Sequence, residues 1–191
     1  MRLPVELSPQ KRTCFVGLPN VAVRALFGGP RAPGVTALKI SWGGNHFFAG
    51  FAGHISAKAV VEIPMALAQC VGLAAAVESS QGMPMFVALE VVEYSPKVTR
   101  ITLDPVSEDD WEIIERNAGF LESSLLDQIS VVYSGLTFPI WIEGRLLVKL
   151  KATSTSSAQC EVLARNSEVS IAPRSRKIRR EQEDRASSDG D

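Results

Sequence analysis

Side chains able to do chemistry are few in this sequence, and they are scattered. His46 and His54 are the only histidines, eight positions apart, with no cysteine or carboxylate at ligand spacing. A metal centre needs three or four convergent ligands, so no metal site is expected. Cys14, Cys70 and Cys160 form an odd set with no C-x-x-C pair. Such a set points to buried free thiols in a reducing compartment rather than a disulfide or zinc framework. Cys14 and Cys70 could serve as nucleophiles, but both lie in apolar stretches where a core thiol is the default. There is no G-x-x-x-x-G-K-[ST] loop and no G-x-S-x-G elbow, which removes the P-loop route to nucleotide phosphates and the hydrolase nucleophile. The glycines from Gly43 to Gly53 do not fit G-x-G-x-x-G and are interspersed with Phe47, Phe48 and Phe51, a hairpin with core aromatics. Glu108, Asp109, Asp110, Glu112 and Glu115 are the one cluster that resembles acid–base machinery. With no basic partner in view, they read as the solvated first turn of a helix. Catalytic, cofactor and metal sites are therefore all expected to be absent.

The elements that would carry these residues divide near Asp104-Pro105. Before it, short β-type segments alternate with Gly and Pro: Thr13–Val16, Val35–Trp42, His46–Phe51, Ala59–Ile63, Met85–Tyr94 and Val98–Leu103. Two short helices interrupt them. One begins at Pro19 and stops at Gly28-Gly29-Pro30, and the other opens at Pro64 and ends near Gly72. Two helices among about six strands suggest a barrel more than a βαβ sandwich. After the divide, Ser107 and Asp110 make a capping-box pair. Apolar residues then recur at Trp111, Ile114, Ala118, Leu121 and Leu125. Gly119, about 1 kcal/mol worse than Ala in a helix, predicts a break near Asn117. Strands follow at Ile129–Tyr133, Phe138–Ile142, Leu146–Ala152, Cys160–Ala164 and Val169–Ala172, with Leu146, Val148 and Leu150 facing inward.

A hydrophobic share of 46% with 21% charged residues is that of a packed chain. No apolar run approaches the roughly 20 residues that span a bilayer. The first residues lack a signal-peptide core, and no Asn-x-Ser/Thr acceptor occurs. The net charge of −1 argues against nucleic acid as a partner, yet it conceals a pattern. Residues 1–103 hold nine basic and five acidic side chains, residues 104–173 five and eleven, and residues 174–191 six and five. The basic run from Arg174 to Arg180 is followed at once by acids, as in a solvated linker. The expected layout is an N-terminal arm (1–11), a basic β-rich unit (12–103), an acidic second unit (104–173) and a charged disordered tail (174–191).

Three blocks in the second unit, in this order and spacing, resemble the N-terminal domain of the peroxin-1 family of peroxisomal AAA ATPases. They are Asp110-Trp111-Glu112 within D-D-W-E-I, Leu126-Asp127-Gln128 within L-L-D-Q-I, and Phe138-Pro139 followed by Trp141 in F-P-x-W. The opening Cys14-Phe15-Val16-Gly17-Leu18-Pro19 agrees more loosely. The run Ala74–Gln81 is longer than the tight turn expected there. The resemblance implies a β-rich α+β fold: a double-psi β-barrel subdomain, then a smaller β-barrel-like subdomain with one acidic helical segment. Such a domain recognises adaptors or substrate for a motor at the cytosolic face of the peroxisomal membrane. The motor, a heterohexamer with a sister peroxin ATPase, withdraws the ubiquitinated import receptor so that matrix protein import continues. ATP and Mg²⁺ would be bound in ATPase modules whose motifs this sequence lacks, and the residues of the three blocks would be structural. Two other readings compete. One is a peripheral domain binding anionic phospholipid through Lys97 and Arg100 beside the junction, which are also the candidate partner contacts. The other is a small enzyme, for which no reactive cluster is found.

Overall fold

The computed structural model describes residues 1–32, 34–155 and 159–173. In chain order the first half runs β1 (Arg2–Ser8), β2 (Leu18–Pro19), α1 (Asn20–Phe27), β3 (Thr36–Trp42), β4 (Asn45–Phe51), β5 (Ile55–Ser56), β6 (Val61–Pro64), α2 (Met65–Cys70), α3 (Leu73–Ser79) and β7 (Phe86–Val91). The second half runs β8 (Arg100–Pro105), α4 (Glu108–Arg116), α5 (Ala118–Gln128), β9 (Val131–Val132), β10 (Thr137–Ile142), β11 (Leu146–Ser154), β12 (Glu161–Val162) and β13 (Glu168–Ile171).

Two sheets organise these elements. The first has the order β4-β3-β7-β1-β6, and the second β10-β11-β8-β13. Gly43 and Gly44 take left-handed φ values of 49° and 86°, which closes the β3–β4 hairpin in the register Trp42↔Asn45. Pro19 leads into α1, and Gly28 ends it in the left-handed conformation at φ 67°. Both follow from the sequence.

Other expectations change. Arg2–Ser8, set apart as an arm, forms β1, antiparallel to β7 and parallel to β6, inside the first sheet. Leu3, Val5 and Leu7 do alternate with Arg2, Pro4, Glu6 and Ser8, but Pro4 within the run argues against a strand inside a sheet. Thr13–Val16 makes no ladder. It bends at Thr13 and Cys14, and its groups bond different elements: Cys14 N–H to Gln128 C=O at 2.6 Å, Val16 N–H to Gly50 C=O at 3.0 Å. The Ala74–Gln81 stretch is helical for most of its length. Gly72 at φ 80° separates α2 from α3, whose Leu73 and Ala74 are buried. Leu146 is 51% exposed, being the first residue of β11 after the turn at Glu143, Gly144 and Arg145, whereas Val148 and Leu150 face inward. β8 pairs only within the second sheet, with β11 and β13, so the two sheets part company before Arg100.

One apolar core joins both halves, from Leu38, Phe47 and Phe51 through to Phe138, Ile140 and Leu150. α2 packs against β10, and β4 against β9. Burial of this kind, at roughly 25 cal/mol per Å² of apolar surface, is the main source of stability. No helix among the described residues is long and apolar enough to cross a membrane. The charged run 174–191 lies outside the described residues.

Candidate functional site

Most of the signature residues turn out to hold the second half together. The Ser107 hydroxyl accepts from Asp110 N–H at 3.0 Å, and the Asp110 carboxylate accepts from Ser107 N–H at 3.0 Å. The other Asp110 oxygen accepts from Lys149 N–H at 3.1 Å, tying the start of α4 to β11. Helix α4 does stop at Asn117, but the turn is made by Asn117 itself, at φ −122°, not by Gly119. At the end of α5 the buried Gln128 side chain does the work of a missing strand. Its amide donates to Trp141 C=O at 2.9 Å and accepts from Trp141 N–H at 2.8 Å, along the free edge of β10. Phe138, Pro139 and Trp141 are buried, and the Cys14 thiol donates to Pro139 C=O at 3.3 Å. Glu112 is half-buried and Asp127 exposed.

Among the described residues, the titratable groups with strong partners are engaged in structural contacts. Glu62 is ringed by donors: Lys11 Nζ at 2.7 Å, Ser56 Oγ at 2.8 Å and His54 Nε2 at 3.2 Å. The Lys11 ammonium above all, with Ser56 and His54, outweighs desolvation and brings the Glu62 carboxyl down to about 2. A carboxylate held ionised in this way is a structural anion, unsuited to proton transfer near neutrality. A Cβ at Gly17 would meet His54 at 2.6 Å and Lys11 Nζ at 2.7 Å, so a larger residue there would displace two of these donors. His46 packs edge-on against Phe48. Burial raises the Cys14 thiol far above its ordinary range, with Cys70 nearby adding to the effect, and burial also raises Cys70 and Cys160. Thiols kept protonated are poor nucleophiles. Among the described residues no three His, Cys, Asp or Glu side chains converge as a metal would require. Lys97 is exposed and bridges to Val162, while the Arg100 guanidinium is already engaged by Glu168 at 3.0 Å.

A groove is the feature left. Helices α4 and α5 lie over β8, β10 and β11, while β13 extends beyond them. The channel between has a volume of about 450 Å³. One wall carries Trp111, Ala118, Leu121, Leu125 and Leu126, and the other Leu163, Val169 and Ile171. Glu115 and Glu122 stand on the helix wall and Arg165 on the strand wall. Trp111 and Leu126, expected to be structural, are half-buried and face this groove. The arrangement offers an apolar strip with charged margins, which suits holding a ligand or peptide rather than transforming one.

Residues 99–173 match the family model described as peroxisome biogenesis factor 1, N-terminal. The peroxisomal ATPase PEX1 of Dictyostelium discoideum is 31% identical over 191 residues, covering 93% of this chain and 15% of that relative. Its human counterpart is 27% identical over 173 residues, covering 88% and 12%, and that of Komagataella phaffii 32% over 139 residues, covering 68% and 11%. The chain is an N-terminal domain of the peroxin-1 family. It spans at most 15% of the length of these three relatives.

The peroxin-1 match coincides with the second sheet and its helices, β8 through β13. All three signature blocks lie within it. The groove went unread in the sequence because its strand wall is discontinuous and unpatterned. The helix wall was legible as the apolar stripe Trp111, Ile114, Ala118, Leu121 and Leu125, which reads as one packed face and does not by itself announce a groove.

Proposed function

We propose that this chain is a docking domain, which recognises adaptors or substrate for a peroxisomal AAA ATPase. The observation that carries this reading is the apolar, charge-rimmed groove in a domain of peroxin-1 type. On this reading the domain acts at the cytosolic face of the peroxisome, in a heterohexamer with a sister ATPase. It contributes to export of the ubiquitinated import receptor and so to matrix protein import. ATP and Mg²⁺ chemistry would belong to segments of the relatives that this chain does not span. The fold would be a double-psi barrel followed by a smaller β-rich unit. The parallel pairings β1–β6 and β2–β5, crossed by the Gly17↔Glu62 bridge, support that assignment. Binding of anionic lipid at Lys97 and Arg100 is disfavoured by the Arg100–Glu168 pair, which reduces the positive charge there. The test is a chimera in which this chain replaces the matching segment of the Dictyostelium relative in cells lacking it. Restored matrix import is expected. A chimera that is folded and abundant yet restores nothing would overturn the proposal.

A further inference from the structure

Resting on the docking reading, we infer that the groove takes an amphipathic helix of a partner protein, with its apolar seam on Trp111 and Ala118 and its basic flank on Glu115 and Glu122. Two heptad series run along the helix pair. Trp111, Ile114, Ala118, Leu121 and Leu125 all line the groove, with Ile114, Leu121 and Leu125 buried, Trp111 half-buried and Ala118 exposed. Seven-residue spacing of apolar side chains is the pattern that a second helix reads. The helix wall is built of two helices that meet at Asn117, with Trp111 on α4 and Ala118, Leu125 and Leu126 on α5.

Charge fixes the kind of helix. Glu115 and Glu122 are also seven apart, exposed, and beside the apolar series. Charges flanking a seam at that spacing select partners by complementarity. Within the groove lining, these two carboxylates stand against the single cation Arg165. The favoured partner therefore carries Lys or Arg at seven-residue spacing. Arg165 on the far wall offers a place for one acidic residue, which sets the direction of the partner helix.

The test uses the full 191-residue chain and two fluorescein-labelled, tryptophan-free peptides. Both have a leucine seam, one flanked by lysines and the other by glutamates, and binding is read by fluorescence anisotropy. The lysine peptide should bind at least about tenfold more tightly, and the order should invert in the Glu115→Lys/Glu122→Lys protein. Ala118→Arg, at an exposed position, should weaken the lysine peptide at least about tenfold with an unchanged circular dichroism spectrum and melting curve. Equal affinity for the two peptides, or indifference to Ala118→Arg, would overturn the inference. So would a self-associating chain that Ala118→Arg renders monomeric, or much tighter binding once residues 174–191 are removed, since the occupant would then be a second copy or the chain's own tail. Import sustained by a chimera carrying Ala118→Arg would remove the groove and leave the docking role standing. Charge-inverting peptide binding alongside a failed chimera would do the reverse.

Discussion

Gln128→Ala should be among the most damaging single changes in the second half. The wild-type side chain is 7% exposed and satisfies both backbone groups of Trp141, itself 9% exposed, at 2.8 and 2.9 Å. β10 is the edge of its sheet, and these groups point away from β11, so no neighbouring strand can replace the amide. Alanine would leave one buried donor and one buried acceptor without partners. Each orphaned group costs about 1–3 kcal/mol, and a modest cavity adds to that, so a loss of about 2–5 kcal/mol is expected. At ~2–4 °C per kcal/mol for a chain of this size, the melting midpoint should fall by roughly 4–20 °C. Urea unfolding followed by tryptophan fluorescence, with the slope of the transition held fixed, measures the same quantity. Gln128→Glu keeps an acceptor for Trp141 N–H but sets an anion against its carbonyl, so it should be no milder than alanine. The exposed neighbour Asp127→Ala serves as control and should stay within about 0.5 kcal/mol of wild type. A Gln128→Ala protein that loses less than about 1 kcal/mol would show that water or a shifted strand satisfies Trp141, and the strand-substitute argument would fail.

Three further outcomes follow from the geometry. Because the Glu62 carboxyl sits at about 2 in the fold, against 4.5 for an ordinary glutamate, its contribution is present above pH 4.5 and lost as pH falls toward 2. Lys11→Met should therefore cost about 1–2 kcal/mol at pH 7, after allowance for solvent screening, and that cost should fade in acid-unfolding series; a pH-independent difference would contradict it. At Gly50, an added Cβ would lie 2.7 Å from Ser130 Oγ and 3.1 Å from the Phe15 ring. Gly50→Ala should destabilise by about 1–3 kcal/mol. Ser130→Ala, which deletes a buried hydroxyl with no partner, should restore part of that loss in thermal melts. Finally, iodoacetamide at pH 8 should label the partly covered Cys70 before the buried Cys14 and Cys160, with peptide mass spectrometry as readout; rapid labelling of Cys14 in the native state would show that its burial is transient.

Legibility in the sequence tracked how local the cause of each element was. The Gly43-Gly44 turn, the Pro19 and Gly28 boundaries of α1 and the Ser107–Asp110 box are each settled within four residues, and each formed as the pattern indicates. β1 was missed although Leu3, Val5 and Leu7 alternate with Arg2, Pro4, Glu6 and Ser8, because Pro4 argues against a strand and the pairing with β6 and β7 lies more than fifty residues away. Thr13–Val16 misled for the opposite reason: its β-type residues are buried or half-buried, but the segment bends and its hydrogen bonds go singly to Gln128 and Gly50. The signature blocks marked the right region. What no pattern could disclose is that Gln128 reaches thirteen residues forward to Trp141, or that Asp110 reaches Lys149.

That division bears on how function in this domain can be tested. Asp110, Gln128, Phe138, Pro139 and Trp141 are recognisable because the fold depends on them, and changing any of them perturbs packing or a buried hydrogen bond. A loss of docking in such variants would be uninformative, since an unfolded domain also fails to dock. Trp111 is different only in part, for it lines the groove while remaining half-covered by the helix pair. The informative positions are the ones that no signature contains, Ala118 and Glu122, together with Glu115 just past the first block. They are exposed and stand at the groove margin. Substitutions there act on the surface alone, so a change in partner choice at constant stability would have to come from the groove itself.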